Sequence, residues 1–377
     1  MHDVPFGGLS VIVAGDFAQL PPAKGLALYS AGVSKVQLPR QTQGDQENTL
    51  GLMIWHMFVV VVILRQNMRQ IKKGHADESL RTVLEHLRYK DCTPEDIQWL
   101  QTRIPSFNRN LNVADKKWRD VSVITAWNCH KDQINNMNAK RFAQDQGLPL
   151  TTFYSVDKQN APHRLSTPKR GPKIRRAPKK APPPDKPGIR LTSAVQKMLW
   201  RLSPHTSEHV AASLSLCVGM PVMIRNNEAT ELGVTKGQEA VVRGWTSYEI
   251  PRYPGHFALD VLFVELVKPA VPVKLPYLDK NVVPLTKIAT SIKAVLPNDS
   301  PVTLTRHQVP VLLNFAMTDY CSQGKTRAVN VVDLKRSKNH QAVYVSLSRG
   351  TSADDTMILR DFSLGKITGG VSGYLRE

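Results

Sequence analysis

Apolar and polar residues alternate along the first 150 positions in stretches that are typical of strands and helices. The short apolar runs Leu9–Ala14 and Met57–Leu64 have the length of buried strands. Between 80 and 87, apolar residues recur at i, i+3, i+4 and i+7, which predicts one buried helix face. A strand over Val121–Thr125 and a helix over 128–147 follow. This alternation predicts a mostly parallel sheet covered by helices, and therefore an α/β fold.

The pattern changes from about position 214, where strands follow one another between glycines and prolines with no obvious helix among them. The predicted strands are Pro221–Arg225, Glu239–Val242 and Ala258–Glu265. Such a series predicts a small antiparallel β module. The α/β pattern returns after 311–316, with a strand at 328–333 and a helix over 341–348. The β module is therefore predicted to be inserted into the α/β domain.

The net charge of the chain indicates which class of partner it binds. The 377 residues carry a formal net charge of +19, which favours a polyanion, and nucleic acid before a membrane. Nine lysines and arginines and seven prolines lie between Pro168 and Arg190, opposed only by Asp185. Proline excludes helix and like charges repel, so this tract is predicted to be an extended linker. It is interpreted as a nuclear-import signal, a phosphate-binding arm or a solvated insertion, and these alternatives remain open.

Other compositional features narrow the class of protein. No apolar run approaches the roughly 20 residues of a membrane span, which argues against a membrane partner. The first residues contain no signal-peptide core, so secretion is not expected. The four cysteines are widely spaced, which argues against a disulfide scaffold or a cysteine-rich zinc site. His205 and His209 could share a helical face, but no third metal ligand is evident, so no metal site is predicted.

Gly324-Lys325-Thr326 has the ending of a phosphate-binding P-loop. The first glycine of that pattern would fall on Asp319, and the following residues are β-rich, whereas a P-loop opens into a helix. A P-loop is therefore not predicted here.

Three other positions are candidates for phosphate chemistry. Gly15–Pro22, which contains Asp16 and Gln19, is either a simple turn or a ligand-binding loop at the end of a strand. Arg69 follows the second apolar run and Arg349 closes the predicted C-terminal helix. Each arginine is either a solvated side chain or a group that neutralises a transferring phosphoryl.

The order of these motifs resembles the petite-integration-frequency (PIF) family of superfamily 1B DNA helicases, whose relatives occur in Helitron transposons. Residues 6–22 resemble helicase motif III, 64–69 resemble motif IV, and 124–128 resemble the strand and asparagine that follow it. Residues 219–237 resemble the family's small β insertion. Residues 315–326 resemble motif V and 344–349 resemble motif VI, although Tyr320 and Cys321 replace the usual His and Lys.

The resemblance implies a RecA-like parallel-sheet helicase lobe with an inserted antiparallel β module. It divides the chain into a remnant of a first lobe (1–56), the first part of a second lobe (57–150), the basic linker (151–192), the β module (193–300) and the second part of the second lobe (301–377).

The resemblance also implies residue roles. Asp16 and Gln19 would sense the γ-phosphate of ATP from one lobe, and Arg69 and Arg349 from the other. Gln323 and Gly324 would couple the nucleotide to DNA. The residues predicted to contact DNA are Lys325, Trp127 and Asn128. Trp118 and Trp127 are candidates for base stacking, but the bulk of each indole favours a place in the core.

The implied function is DNA unwinding coupled to ATP hydrolysis, with single-stranded or forked DNA as the partner and ATP and Mg²⁺ as cofactors. The family's P-loop and its Mg²⁺-binding Asp-Glu pair are not found upstream of motif III, so the chain is interpreted as a C-terminal fragment that is inactive alone. The alternative is a non-catalytic nucleic-acid-binding protein with a vestigial nucleotide site. Nuclear location, with mitochondria as the alternative, and roles in DNA repair, recombination and telomere maintenance follow from resemblance only.

Overall fold

The computed structural model describes residues 5–23, 25–30, 43–71, 74–159, 189–297 and 299–376. The helices are α1 (Gln43–Trp55), α2 (His75–Arg88), α3 (Pro94–Gln101), α4 (Asn128–Gln146), α5 (Ser193–Trp200), α6 (Asp319–Ser322), α7 (His340–Leu347) and α8 (Gly373–Arg376). Contacts divide the chain into a first unit, residues 1–127 and 317–377, and a second unit, residues 128–316.

Fifteen strands occur among the described residues. They are β1 (Val123–Thr125), β2 (Thr151–Tyr154), β3 (Val156–Gln159), β4 (Ile189–Arg190), β5 (Ser213–Leu216), β6 (Pro221–Ile224), β7 (Glu239–Glu249), β8 (Phe257–Leu266), β9 (Val282–Thr286), β10 (Ile288–Val295), β11 (Pro301–Gln308), β12 (Val311–Leu313), β13 (Ala316–Thr318), β14 (Asn330–Asp333) and β15 (Thr356–Ile358).

The first unit is built on a sheet with the order β13-β1-β14-β15. The β1–β14 and β14–β15 pairs are parallel, as an α/β fold requires. The predicted apolar face of α2 is confirmed, because Leu80, Val83, Leu84 and Leu87 are all buried. At the start of α3, Thr93 and Asp96 form a reciprocal capping box that satisfies two backbone donors.

The second unit contains two sheets, both mainly antiparallel. One has the order β12-β6-β7-β8-β2-β5, with β9 also paired to β8, and the other has the order β10-β11-β3-β4. Phe153, Met220, Val242 and Leu262 are among the buried side chains of the larger sheet's core. The fold class predicted from the sequence, an α/β lobe with a small antiparallel β module, is confirmed.

The boundaries of the second unit differ from the predicted domains. Strands β2 and β3 occupy 151–159, which the sequence assigned to the linker, and the helix α4 belongs to this unit by its contacts. Strand β3 pairs with β4, so the basic tract connects two neighbouring strands. Residues 160–188, which hold most of that tract, lie outside the described residues. The Thr, Phe, Tyr and Val content of 151–156 is a β signal that the neighbouring basic tract obscured.

Two predicted buried strands are wrong. Neither Leu9–Ala14 nor Met57–Leu64 belongs to a sheet among the described residues, and both runs are largely exposed. The side chain of Ile12 is 93% exposed and that of Leu64 is 91% exposed. An apolar strand is buried only where neighbouring strands and covering helices exist, and the described residues supply none for these two runs. No helix in the described ranges is long and apolar enough to cross a membrane.

Candidate functional site

The loop after the first apolar run holds Asp16 in a local turn. One oxygen of its carboxylate accepts the backbone N–H of Ala18 at 3.0 Å, and the other accepts the side-chain amide of Gln19 at 3.2 Å. Both carboxylate oxygens also accept hydrogen bonds from Arg88, at 2.9 and 3.0 Å. Asp16 and Gln19, which the sequence predicted as a pair, therefore lie in direct contact, and a helix α2 arginine holds them in place.

Arg88 also contacts the helix that precedes Arg349. It donates to the hydroxyl of Tyr344 on α7 at 2.9 Å, and its guanidinium lies 5.5 Å from the centre of the tyrosine ring. Burial alone would lower the pKa of Arg88, but the carboxylate of Asp16 and the tyrosine hydroxyl raise it above its ordinary value. Arg88 is thus a permanent cation that joins the Asp16 loop to α7. Sequence reasoning missed it, since it resembles any polar residue near a helix end.

Arg69 lies near the other end of α7. Its Nε donates to the hydroxyl of Thr326 at 3.1 Å, and one terminal nitrogen donates to the carbonyl oxygen of Ser348 at 2.8 Å. The adjacent Gln70 is buried and its side-chain amide donates to the carbonyl oxygen of Gly350. Burial lowers the pKa of Arg69.

Arg349 is almost completely buried, with 2% of its surface exposed. Its Nε donates to the carbonyl oxygen of Val345 at 2.9 Å and a terminal nitrogen donates to the Ser348 hydroxyl at 2.8 Å. Burial, and next the positive charge of Arg69, lower the pKa of Arg349 to about 10. Within the described parts of the chain, neither Arg69 nor Arg349 forms an ion pair with a carboxylate.

Arg69 and Arg349 therefore carry neighbouring positive charges with no carboxylate partner among the described residues, which is the electrostatic condition for attracting an anion. The backbone beside them is tightly packed, because a Cβ on Gly350 would lie 2.5 Å from the Thr356 hydroxyl. Through the contacts described above, the structure brings Asp16, Gln19, Arg69 and Arg349 together around α7, within the first unit. We call Arg69, Arg88 and Arg349 together the arginine site.

The Gly324-Lys325-Thr326 sequence is no P-loop in the structure. The helix α6 precedes it, and the chain then continues through an Arg327–Gly350 bridge into β14, so no helix opens after Thr326. Gln323 and Gly324 are exposed, and Gly324 has a φ of 81°, a left-handed conformation that glycine adopts without strain. The carbonyl oxygen of Lys325 accepts a hydrogen bond from Arg349 at 3.5 Å, so the motif adjoins the arginine site.

The two tryptophans differ. Trp118 is 9% exposed, which confirms the expectation of a core position, whereas Trp127 is 48% exposed. The indole N–H of Trp127 donates to the carbonyl oxygen of Arg336 at 3.1 Å, so the ring is held while its surface remains open. Asn128 is the first residue of α4.

The described residues contain no group of three or more His, Cys, Asp or Glu side chains able to hold a metal. His205 lies in a short 3₁₀ turn and its ring nitrogen Nδ1 is 2.9 Å from a carboxylate oxygen of Asp132. His205 and His209 therefore do not share a helical face, which the sequence had left open.

No protein-family model matches this chain. The ATP-dependent DNA helicase PIF1 of Rattus norvegicus is 23% identical over 358 residues, which cover 94% of this chain and 41% of the rat protein. The crystal structure of the Pif1 helicase from Candida albicans has a TM-score of 0.57 and 17% identity, and the match covers 99% of this chain and 69% of that one. The Bacteroides Pif1 helicase in complex with ADP-AlF3 and ssDNA has a TM-score of 0.56 and 17% identity, covering 97% and 66%.

This chain spans about two fifths of the length of its rat relative. The identities to the solved structures are low enough that they establish the fold alone. The sequence comparison and the structure comparison agree, however, because a Pif1 helicase matches nearly the whole of this chain in each of them. The resemblance to the PIF helicases is thus confirmed: this chain is similar to PIF1 helicases in sequence, and it has their fold.

Proposed function

We propose that this chain supplies the arginine side of an ATP site in a PIF-like helicase that couples ATP hydrolysis to DNA unwinding. The arrangement of Arg69 and Arg349 carries the proposal. Arg349 is buried and Arg69 is half-buried, and the donors of both contact only hydroxyl and carbonyl oxygens among the described residues. The γ-phosphate of ATP would supply the negative charge that this pair lacks.

The arginine site fits a polyphosphate but does not fit Mg²⁺. Asp16 is the carboxylate whose charge reaches Arg349, and both of its oxygens already accept hydrogen bonds from Arg88. Carboxylate oxygens are the protein ligands that Mg²⁺ prefers, and no such cluster occurs in the part of the chain described here. We therefore propose no step through Mg²⁺, and we propose that this polypeptide alone hydrolyses ATP negligibly.

Within the site, each residue has a specific task in this proposal. Arg349 is fixed by the Val345 carbonyl and the Ser348 hydroxyl, so it is already oriented before phosphate arrives. An entering γ-phosphate would relieve the repulsion between Arg349 and Arg69, and the two guanidinium groups would neutralise the negative charge that develops on the phosphoryl group during transfer. Gln19, held by Asp16, would report the presence of the γ-phosphate to α7 through Arg88.

DNA binding is proposed on separate features. The Bacteroides relative was solved with ssDNA, and this chain is strongly basic. The exposed ring of Trp127 offers a surface for a base to stack on, and Lys325 with the Gln323-Gly324 turn would link strand binding to the arginine site. Single-stranded and forked DNA are the proposed substrates, and a nuclear location is proposed from the family resemblance.

The proposal is tested by binding of a fluorescent single-stranded oligonucleotide with and without millimolar ATP. ATP is expected to change the affinity by about fivefold or more, because it binds one DNA-binding state better than the other. The double variant Arg69→Ala, Arg349→Ala should lose this response. Arg109→Ala is the matched control, since Arg109 is an exposed arginine of the same unit outside the arginine site.

A second candidate function is non-catalytic nucleic-acid binding, which the net charge of +19 favours. In that case ATP would leave DNA affinity unchanged in every variant, while raised salt would still weaken binding. DNA-stimulated ATP turnover by the purified chain, abolished by Arg349→Ala, would contradict the proposed inactivity of the polypeptide alone.

A further inference from the structure

The side-chain amide of Gln341 holds one side of the Asp16 loop, which we define as residues 16–21. Gln341 lies in the first turn of α7 and is 4% exposed. Its Nε2 donates to the backbone carbonyl oxygen of Phe17 at 2.8 Å and to the hydroxyl of Tyr29 at 3.0 Å. Its Oε1 accepts a hydrogen bond from the side-chain amide of Asn339 at 3.3 Å. Because both ends of the amide have partners, its orientation is defined, and α7 is tied to the backbone of the loop.

The hydroxyl of Tyr320 holds the other side of the Asp16 loop. Tyr320 is the second residue of α6, and its hydroxyl donates to the backbone carbonyl oxygen of Pro21 at 3.2 Å. Burial, and next the charge of Asp319, raise the pKa of Tyr320, so the hydroxyl remains a protonated donor at neutral pH. The PIF resemblance leads us to expect a histidine at this position, and a phenol reaches further from the backbone than an imidazole. The contact with Pro21 therefore depends on the tyrosine that this chain has in place of that histidine.

Gln19 lies between the two held carbonyl groups. Its backbone N–H donates to the carbonyl oxygen of Asp16 at 3.1 Å, and its side-chain amide donates to the Asp16 carboxylate at 3.2 Å. That carboxylate is bound in turn by Arg88. Pro21 and Pro22 fix φ in the chain that follows, which limits the conformations open to it. The protein's own contacts thus hold Gln19 at a defined place.

We propose that Gln341 and Tyr320 are positioning residues, which hold Gln19 in place beside the arginine site and connect it to α7 and α6. This inference rests on the proposed function, in which Gln19 reports the γ-phosphate. The helix α7 ends two residues before Arg349, and α6 ends at the residue before Gln323. A displacement of the Asp16 loop by phosphate would therefore move both helices, whereas a loop without these two contacts would move alone.

Hydrogen exchange of the loop tests the anchoring directly. Tyr320→Phe removes the hydroxyl and keeps the ring, so the variant should fold normally. The amides of Ala18 and Gln19, which donate to Asp16, should exchange about threefold to tenfold faster, as expected for the loss of one hydrogen bond. Tyr277→Phe is the matched control: Tyr277 is a fully exposed tyrosine of the second unit, and this variant should exchange like the unsubstituted chain.

The ATP response of DNA binding separates positioning from a purely structural role. Without ATP, the affinity of Tyr320→Phe for a fluorescent single-stranded oligonucleotide should stay within about twofold of the unsubstituted chain, because Tyr320 is not among the residues proposed to contact the strand. Millimolar ATP should then change that affinity by about twofold or less, compared with about fivefold or more in the unsubstituted chain. Gln341→Met, which removes both donated hydrogen bonds but keeps the length of the side chain, should show the same loss of response.

Unchanged exchange of the two amides in Tyr320→Phe would overturn the inference. Faster exchange combined with an ATP response equal to that of the unsubstituted chain would also overturn it, because the hydroxyl would then be structural only. If ATP leaves the DNA affinity of the unsubstituted chain unchanged while exchange is still faster in Tyr320→Phe, the anchoring of Gln19 stands and the proposed function alone fails. The two failures are therefore distinguishable.

Discussion

Each of the two units contains a buried arginine, and the two arginines differ in what surrounds them. Arg306 in the second unit is 0% exposed, and its guanidinium is bound by both carboxylate oxygens of Asp157 at 2.9 Å, by the Ser207 hydroxyl and by the Val210 carbonyl. Arg349 in the first unit is 2% exposed and contacts no carboxylate among the described residues.

The two arginines differ in whether the protein itself neutralises the buried charge. Taking a guanidinium out of water is costly, and a carboxylate with further hydrogen bonds compensates that cost inside the protein. Asp157 is itself satisfied by Ser155 and Gln196, so the pair around Arg306 is complete without any ligand. The guanidinium of Arg349 contacts neutral carbonyl and hydroxyl oxygens but no carboxylate among the described residues, so its charge is unpaired, which is the electrostatic condition for attracting an anion.

The largest effect on stability is expected from removing the carboxylate that pairs with Arg306. Asp157→Ala should lower the free energy of unfolding by about 3–5 kcal/mol, because Arg306 would remain buried with its charge unpaired. Denaturant unfolding of the full chain measures this. Asp260→Ala is the control: its pair with Lys287 is exposed and should contribute less than about 1 kcal/mol. A small loss in Asp157→Ala would mean that water reaches Arg306.

Substitution of Arg349 should change stability much less than substitution of Asp157. Arg349→Met removes a desolvated charge that no carboxylate compensates, so the free energy of unfolding should stay within about 1 kcal/mol of the unsubstituted chain. The same denaturant experiment checks it. A loss as large as that of Asp157→Ala would show that Arg349 is a structural residue and remove the contrast between the two units.

An intermediate effect is expected at Arg88, which is partly exposed. Arg88→Lys keeps the charge but loses the two-pronged contact with Asp16, so the loop around Gln19 should open more often. We expect amide exchange at 16–20 to accelerate by about fivefold to tenfold, in line with a weakened charge-assisted hydrogen bond. Arg109→Lys is the control, and equal acceleration there would refute a specific anchoring role.

Two histidines should make stability depend on pH. Burial, and next a nearby lysine, lower the pKa of His209 in the second unit and of His340 in the first. As pH falls, these histidines are protonated in the unfolded chain before they are protonated in the folded chain, which favours unfolding. The stability that the two neutral histidines contribute is therefore present above the ordinary histidine pKa and is lost as pH falls below it. His209→Gln and His340→Gln should each flatten the fall of unfolding free energy between about pH 7 and 5. An unchanged slope of unfolding free energy against pH in either variant would contradict the burial of that histidine.

A small, local effect on stability is expected at the start of α3. Thr93→Ala removes the side-chain oxygen that accepts the backbone N–H of Asp96, and should cost about 1 kcal/mol of unfolding free energy. Thr93→Ser retains that oxygen and is the control. Equal loss in both variants would point to packing of the threonine methyl group.

The elements predicted best from the sequence are those whose stability comes from local pattern. The apolar face of α2 follows from the spacing of four apolar residues within eight positions. Strands β6, β8 and β14 were also found at or near their predicted positions. The same reasoning failed for Leu9–Ala14 and Met57–Leu64, because burial of a strand depends on neighbours that lie elsewhere.

The sequence by itself determined the class of fold, the order of its motifs and the candidates Asp16, Gln19, Arg69 and Arg349, because residue type and spacing are local properties. Only the tertiary structure decided which arginines are buried, and that Arg88 joins the Asp16 loop to α7. The physical reason is that desolvation and the choice of hydrogen-bond partner depend on residues far apart in sequence. Arg306 and Arg349 are the same side chain, yet one is neutralised by its fold and the other is left to attract an anion.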